Sequence, residues 1–253
     1  EPRWVGGVGD WGWTGQGGTQ AQRPDVAPFG PQQLARPKRI VGFPRCQYSA
    51  EEGTPGDWHR MHLGARAVGG AGLLITEGTA VCAEGRITYA CAGMYGPEHV
   101  EAWRRITDFV HTHSVTPIGM QLCHAGRKAS CSLPWEGDEP LEGDPAWPTM
   151  GPSAEGFETH WPTPRAMDRA DMDTVREQFV QSARYALEAG FDLLELHMAH
   201  GYLLSSFLSP ASNLRGDEYG GDLQGRMRFP LEVCRAVREV WPAHMPLAVR
   251  LSA

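Results

Sequence analysis

The sequence predicts an α/β protein folded as a TIM-type (β/α)8 barrel. Short apolar runs alternate with stretches of helical periodicity, five such strand–helix units follow one another, and polar or small residues end each apolar run. This order implies parallel strands joined by right-handed crossovers, and 253 residues is a usual length for one barrel. The C-terminal strand ends should therefore meet at one face, where the functional groups of such barrels gather.

The chain divides into an irregular stretch and a barrel domain. Residues 1–30 are rich in Gly, Trp, Gln and Pro without periodicity, so we expect a linker or extension there. The barrel should occupy residues 31–253, with its first strand at 40–43 and its second at 71–77, ended by Gly78. The helix between these strands is marked by apolar residues at helical spacing: Trp58, Met61, Ala65 and Val68.

The middle of the chain contains one more strand, two helices and a long excursion. Pro97 should open the first of these helices, because its missing N–H costs nothing in a first turn. Residues 117–122 form the strand, and the Pro/Trp/Gly-rich excursion 130–165 is long enough to indicate a functional loop. Asp168, with Asp171 three residues later, should cap the following helix.

The last two strands are predicted at residues 191–196 and 247–251, with a helix at 229–241 between them. Gly190 ends the preceding helix, and Arg250 stands near the end of the fifth strand. Alternation along the five strands leads us to place these apolar residues inside the barrel: Val41, Leu74, Met120, Leu194 and Val249.

The end of the fourth strand carries the most chemistry. His197, His200 and Tyr202 follow one another there, and each side chain can donate or accept a proton. The histidines could bind a metal ion, which needs a third protein ligand and an open position for water. They could instead both donate hydrogen bonds to one substrate oxygen, with Tyr202 as a proton source, or simply close off the strand. The pattern alone leaves these alternatives open.

Composition excludes several partners. The net charge of −7 and the lack of a basic cluster argue against nucleic acid. No apolar run approaches the roughly 20 residues that cross a bilayer, so we expect no membrane association. The six cysteines show neither CxxC spacing nor the density of a disulfide scaffold, which favours a cytoplasmic location.

Several long motifs resemble one family. They are PRCQYSAEEG (44–53), EGRIT (84–88), QLCHAGRKA (121–129), ELHMAHGYLLSSFLSP (195–210) and NLRGDEYGG (213–221). Over about 30–253 the chain thus resembles the Old Yellow Enzyme family, FMN-dependent ene-reductases of the TIM-barrel fold that draw electrons from NADPH or NADH. Residues 91–111 are similar to the reductase half of two-domain aminobenzoyl-CoA or salicylyl-CoA monooxygenases. That similarity implies a fused upstream flavin hydroxylase domain as a partner.

The resemblance implies a set of FMN contacts. These are Phe43, Pro44, Arg45, Cys46, Gly78, Gln121 and Arg250. Gly78 would leave room for the flavin ring, Gln121 would hydrogen-bond its pyrimidine edge, and Arg250 would stabilise negative charge on the reduced ring. Cys46 would contact the flavin near N5 and tune its potential, although a free buried cysteine is the alternative.

The same resemblance implies the substrate contacts. His197 and His200 would hold the carbonyl oxygen of an enone or aromatic acyl-CoA, with help from Tyr48, and Tyr202 would protonate the α-carbon. No metal is implied. The alternatives are a non-catalytic truncated barrel that retains no flavin and, further off, a metal-dependent hydrolase. Arg127 and Lys128 would face the ligand or solvent.

Three departures from the family pattern stand out. Phe43 and Arg45 replace a small or hydroxyl residue and a Met, and Gly225 replaces an Asn. The sequence begins at Glu1 and stops after the fifth strand, so we expect five units of a longer barrel that forms a homo-oligomer when complete. Residues 1–253 alone would keep open sheet edges and lack the FMN phosphate loops, and we expect them to associate and to bind FMN weakly.

Overall fold

Parallel strands dominate the computed structural model, which describes residues 40–252. In chain order these residues contain the strands β1 (Val41–Gly42), β2 (Leu73–Ala80), β3 (Ile118–Cys123), β4 (Met150–Gly151), β5 (Arg165–Ala166), β6 (Leu193–Met198) and β7 (Leu247–Leu251). Five of them form one sheet in the order β1-β2-β3-β6-β7, and every neighbouring pair is parallel. This confirms the predicted parallel β/α arrangement. The extension predicted for residues 1–30 lies outside the described range.

Helices connect the strands of this sheet. They are α1 (Asp57–Val68), α2 (Pro97–His113), α3 (Arg169–Glu188), α4 (Leu203–Leu208) and α5 (Leu223–Val240). Pro97 opens α2 as predicted, and the Asp168 carboxylate accepts from the Asp171 amide at 2.9 Å to cap α3. α5 begins at Leu223 rather than Phe229, because Asp222 caps it by accepting from the Gly225 amide. Within residues 40–252 no helix is both long and apolar enough for a bilayer crossing.

The predicted apolar face of α1 is wrong. Trp58, Met61 and Val68 are exposed by 51%, 52% and 61% of their surface. The buried face consists of His59, Leu63, Gly64 and Ala67. Small residues line it because α2 packs close: a Cβ on Gly64 would lie 2.6 Å from the Phe109 ring. Packing volume, rather than hydrophobicity, thus decides which side of α1 faces inward.

The predicted inner face of the sheet is also wrong for most strands. Leu74, Met120 and Leu194 are fully buried, but they belong to the large core that the sheet shares with its helices. The opposite face carries a smaller cluster of Leu73, Ile75 and Leu193, against which Val41 packs as predicted. Val249 pairs in register with Leu196, so it also belongs to the helix-facing side.

β2 does not end at Gly78. It continues to Ala80, with a register shift against β3 between Ile75 and Gly78. At this irregularity the Thr76 hydroxyl accepts a hydrogen bond from the Gln121 amide at 3.2 Å, which satisfies a donor that the strand ladder leaves free. Because of this register shift, Gly78 pairs with Gln121 in place of Glu77.

Candidate functional site

One row of side chains crosses the inner face of the sheet near the strand ends. The register pairs Gly78 with Gln121, Gln121 with Glu195, and Glu195 with Ala248. Two residues further along, His197 pairs with Arg250 and points to the same face, because strand side chains alternate. The structure thus brings together, from four different strands, residues that the sequence assigned to one site.

Gln121 is held by a residue that sequence analysis missed. Its Nε2 donates to Glu195 Oε1 at 2.6 Å, and the glutamine is buried. Burial raises the pKa of the Glu195 carboxyl, while the bond from Gln121 opposes that shift. Glu195 lies two residues before His197, so strict alternation along the strand could have placed it on the site face.

A cavity of about 450 Å³ lies between the 42–47 segment, α1 and β2, and Arg250 is the residue of the row that lines it. Phe43, Pro44, Arg45, Glu77 and Arg250 are among the residues that line it. Arg250 is half-buried, and its guanidinium makes no hydrogen bond to any other side chain or carbonyl of residues 40–252. Phe43 is 76% exposed, so in this arrangement its ring extends mainly into solvent. Four predicted flavin contacts therefore surround one space that contains a free cation.

The segment that forms this cavity rests on a buried pair that sequence analysis also missed. His59 Nε2 lies 3.1 Å from Glu77 Oε1, and both side chains are almost completely buried. The other carboxylate oxygen accepts from the Gln47 amide at 3.1 Å, which anchors the 43–48 segment to β2. No local sequence pattern predicts that His59 of α1 contacts Glu77 near the C-terminal end of β2.

Cys46, Tyr48 and Tyr202 meet over a small apolar cluster at the strand ends. They pack against Ile87, Cys91, Ala125 and Ala129. Burial raises the pKa of the Cys46 thiol and of both phenols well above their ordinary values. All three groups therefore keep their protons at neutral pH, and Tyr202 is suited to act as a proton donor rather than a base.

The two histidines form a neutral, hydrogen-bonded pair. His197 is buried, and its Nδ1 accepts from the Ala199 amide at 3.2 Å, so its proton lies on Nε2. That Nε2 is 3.3 Å from Nδ1 of the exposed His200, and the His197 ring stands perpendicular to the Tyr202 ring with centroids 5.0 Å apart. Burial, aided by His200 and Arg250, lowers the pKa of His197 to about 3. The His197 Nε2–H is thus donated to His200, and the neutral His200 keeps its own Nε2–H for a ligand.

The metal alternative has no complete ligand set in this part of the chain. Among residues 40–252, no three His, Cys, Asp or Glu side chains come together in a geometry that could hold a metal ion. Burial, and after it the charge of Arg250 nearby, lowers the pKa of both imidazoles. This arrangement serves hydrogen bonding to an oxygen atom better than metal coordination.

Fold and site together define the class of this protein: a parallel β/α domain whose polar groups lie at the C-terminal ends of its strands. The chain belongs to the NADH:flavin oxidoreductase / NADH oxidase family, whose model matches residues 28–253. Among curated relatives, an NADPH dehydrogenase of Geobacillus is 45% identical over 217 residues, which cover 85% of this chain and 59% of the relative. An NADH:flavin oxidoreductase of Gibberella zeae is 43% identical over 86% of this chain and 54% of its own length.

Solved structures agree with this assignment. Morphinone reductase superposes with a TM-score of 0.79 at 29% identity, covering 90% of this chain and 61% of that one. Old Yellow Enzyme from Pichia superposes with a TM-score of 0.80 at 30% identity, covering 90% and 59%. The resemblance to the Old Yellow Enzyme family is thereby confirmed. The chain spans between half and two thirds of the length of these relatives.

Proposed function

We propose that the protein is an FMN-dependent oxidoreductase that uses NADPH or NADH to reduce an activated C=C bond. The observation that carries the proposal is the neutral pair His197–His200 beside the protonated Tyr202, at the end of the strand next to Arg250. Imidazole N–H groups suit a carbonyl oxygen, which would take the place of the bond between the two rings, and a half-buried, protonated phenol suits proton delivery to carbon. The names of the relatives, NADPH dehydrogenase and NADH:flavin oxidoreductase, support the choice of electron donor and cofactor.

The residues present fit FMN. Gly78 carries no side chain next to the Gln121 amide, and a Cβ there would already be in ordinary contact with Gln121 Oε1 at 3.5 Å. Arg250 supplies an unpaired guanidinium in the adjoining cavity, which suits a ring that becomes negative on reduction. We assign Phe43, Pro44, Arg45 and Cys46 to the edge of the same ring.

Bound FMN would supply a hydride to the β-carbon of the substrate. His197 and His200 would orient the carbonyl oxygen and strengthen its hydrogen bonds as negative charge develops there, with Tyr48 close by. Tyr202 would hold its proton until the α-carbon requires it, because burial keeps the phenol neutral. Burial, reinforced by the charge of Arg250, lowers the pKa of both imidazoles and would keep them uncharged.

Phenol binding tests the role of the histidines. In the protein expressed from its complete reading frame, wild type should bind p-hydroxybenzaldehyde with a new long-wavelength flavin absorbance. The double variant His197→Ala/His200→Ala should lose this binding and keep its FMN. His244→Ala, an exposed histidine in another loop, should behave as wild type. Unchanged phenol affinity in the double variant would contradict the proposal, and loss of a bound metal would favour a hydrolase.

We further propose that the protein is closest to the reductase half of the two-domain aminobenzoyl-CoA or salicylyl-CoA monooxygenases. Residues 91–111 support this, and so would a flavin hydroxylase domain upstream in the complete reading frame. In this proposal the described sheet forms five units of an eight-stranded barrel, which assembles as a homo-oligomer. An aromatic acyl-CoA should then be reduced with a higher kcat/KM than 2-cyclohexenone. A preference for the simple enone would contradict it.

A further inference from the structure

The excursion between β3 and α3 returns to the site through a closed loop. β4 and β5 pair in parallel, Met150 with Arg165 and Gly151 with Ala166, so residues 152–164 form a loop with a fixed base. Arg215 strengthens this base, since its Nη1 donates to the main-chain carbonyls of Pro152 at 2.9 Å and Met167 at 2.6 Å. The tip of the loop carries two aromatic residues, Phe157 and Trp161, with ring centroids 5.0 Å apart in an edge-to-face arrangement.

Arg127 ties this tip to the end of β3. Its Nη1 donates to Gly156 O at 2.9 Å and to Glu155 O at 3.2 Å, the two carbonyls directly before Phe157. The centre of its guanidinium lies 5.8 Å from the Phe157 ring. The contacts are to main-chain atoms, so they fix the path of the loop and, with it, the position of Phe157.

Lys128 connects Phe157 to the histidine and tyrosine of the site. Its Nζ lies 4.3 Å from the centre of the Phe157 ring and 5.3 Å from the centre of the Tyr202 ring. The same ammonium donates to the carbonyl of His200 at 3.2 Å. One cation thus stands between the two rings, and each ring attracts it through its negative face. Lys128 is half-buried between these rings, so it is more than a solvated loop charge.

We propose that Phe157 is a specificity-determining residue and that Arg127 and Lys128 are its positioning residues. With the oxygen of a ligand at His197 and His200, the part of the ligand that extends past Tyr202 meets the Lys128–Phe157 wall. The wall limits the length of planar, aromatic ligands on that side. The specificity role rests on the proposed function, because that function places the ligand oxygen at the histidines. The attachment of the loop by Arg127 and Lys128 does not depend on the proposed function.

Two phenols of different length test the specificity, with binding followed by flavin absorbance so that no turnover is needed. Phe157→Ala should improve the affinity for 4-hydroxybiphenyl relative to p-hydroxybenzaldehyde by about tenfold, the order that one matched group is worth in an apolar pocket. Lys128→Met should shift this ratio in the same direction, and Lys128→Arg, which keeps the cation, should restore it. A ratio unchanged within about twofold in Phe157→Ala would overturn the specificity role.

Hydrogen exchange tests the attachment without any ligand. Amides of residues 153–161 should exchange at least about tenfold faster in Arg127→Met and Lys128→Met, because local opening becomes easier when its anchors are lost. Arg60→Met is the matched control, since Arg60 also covers an aromatic ring, Phe109 at 4.9 Å, far from this loop. Unchanged exchange in 153–161 would overturn the positioning role. If wild type binds neither phenol while the loop loosens as expected, the proposed function fails and the attachment stands.

Discussion

Gly78 offers a direct test of where the cofactor lies. A Cβ added at this position would lie 3.5 Å from Gln121 Oε1 and 3.6 Å from Cys123 Cβ, both ordinary contact distances. The backbone of Gly78 is not among the glycines with positive φ, so alanine meets no strain there. Gly78→Ala should therefore change the free energy of unfolding by less than about 1 kcal/mol.

The same methyl group should weaken FMN binding. If the flavin ring lies against Gly78, the added Cβ overpacks that contact, which typically costs about 1–3 kcal/mol. This corresponds to a rise in the FMN dissociation constant of roughly fivefold to 150-fold.

Two measurements in the complete protein separate the effects on binding and on stability. Quenching of FMN fluorescence gives the dissociation constant, and urea unfolding of the flavin-free form gives the stability. Gly216→Ala is the control, because a Cβ there meets nothing within 4 Å. An unchanged dissociation constant in Gly78→Ala would refute the placement of the flavin. A parallel loss of stability would show that the methyl group disturbs the sheet instead.

Three further predictions concern the thiol, a helix cap and the pH dependence. Cys46→Ala should shift the flavin reduction potential, measured by spectroelectrochemistry, with little change in stability; an unchanged potential would reduce Cys46 to a packing residue. Asp168→Ala should lower the free energy of unfolding in urea by about 1 kcal/mol through loss of the α3 cap, whereas Asp173→Ala, which breaks only exposed ion pairs, should lower it less. The folded-state pKa of His197, about 3, lies below that of the unfolded chain, near 6.5, so unfolding takes up a proton in between. Stability should thus fall as pH drops from about 6.5 toward 3, and less so in His197→Gln; an equal fall in both would contradict the assigned pKa.

Local signals predicted the starts of two helices. The opening of α2 at Pro97 and the cap of α3 at Asp168 are local features, and both appear in the structure. The buried face of α1 was predicted wrongly because α2 packs against small residues there, Gly64 and Ala67, and Trp58 stays exposed. The inner and outer faces of the strands were confused because strands of a covered parallel sheet are apolar on both sides, so Leu193 and Leu194 look alike in sequence.

The candidate site was predictable in part. His197, His200 and Tyr202 are neighbours in sequence, and Glu195 follows from the same alternation once the inner face is known. The pair His59–Glu77 and the attachment of Phe157 by Arg127 join residues about 20 to 30 positions apart through loops whose path no local pattern specifies. Such contacts depend on the folded chain as a whole.

The proposed function requires that the histidine pair and Tyr202 act on an activated alkene beside a flavin reduced by NADPH or NADH. The most direct measurement is an anaerobic absorbance experiment on the protein from its complete reading frame. We predict that the purified protein is yellow, that NADPH or NADH bleaches it, and that an enone or an aromatic acyl-CoA then restores the colour. The variant Tyr202→Phe should bleach at the wild-type rate and regain its colour more slowly, because proton delivery to carbon is lost. A protein that retains no flavin, or a reduced flavin that no activated alkene reoxidises, would contradict the account.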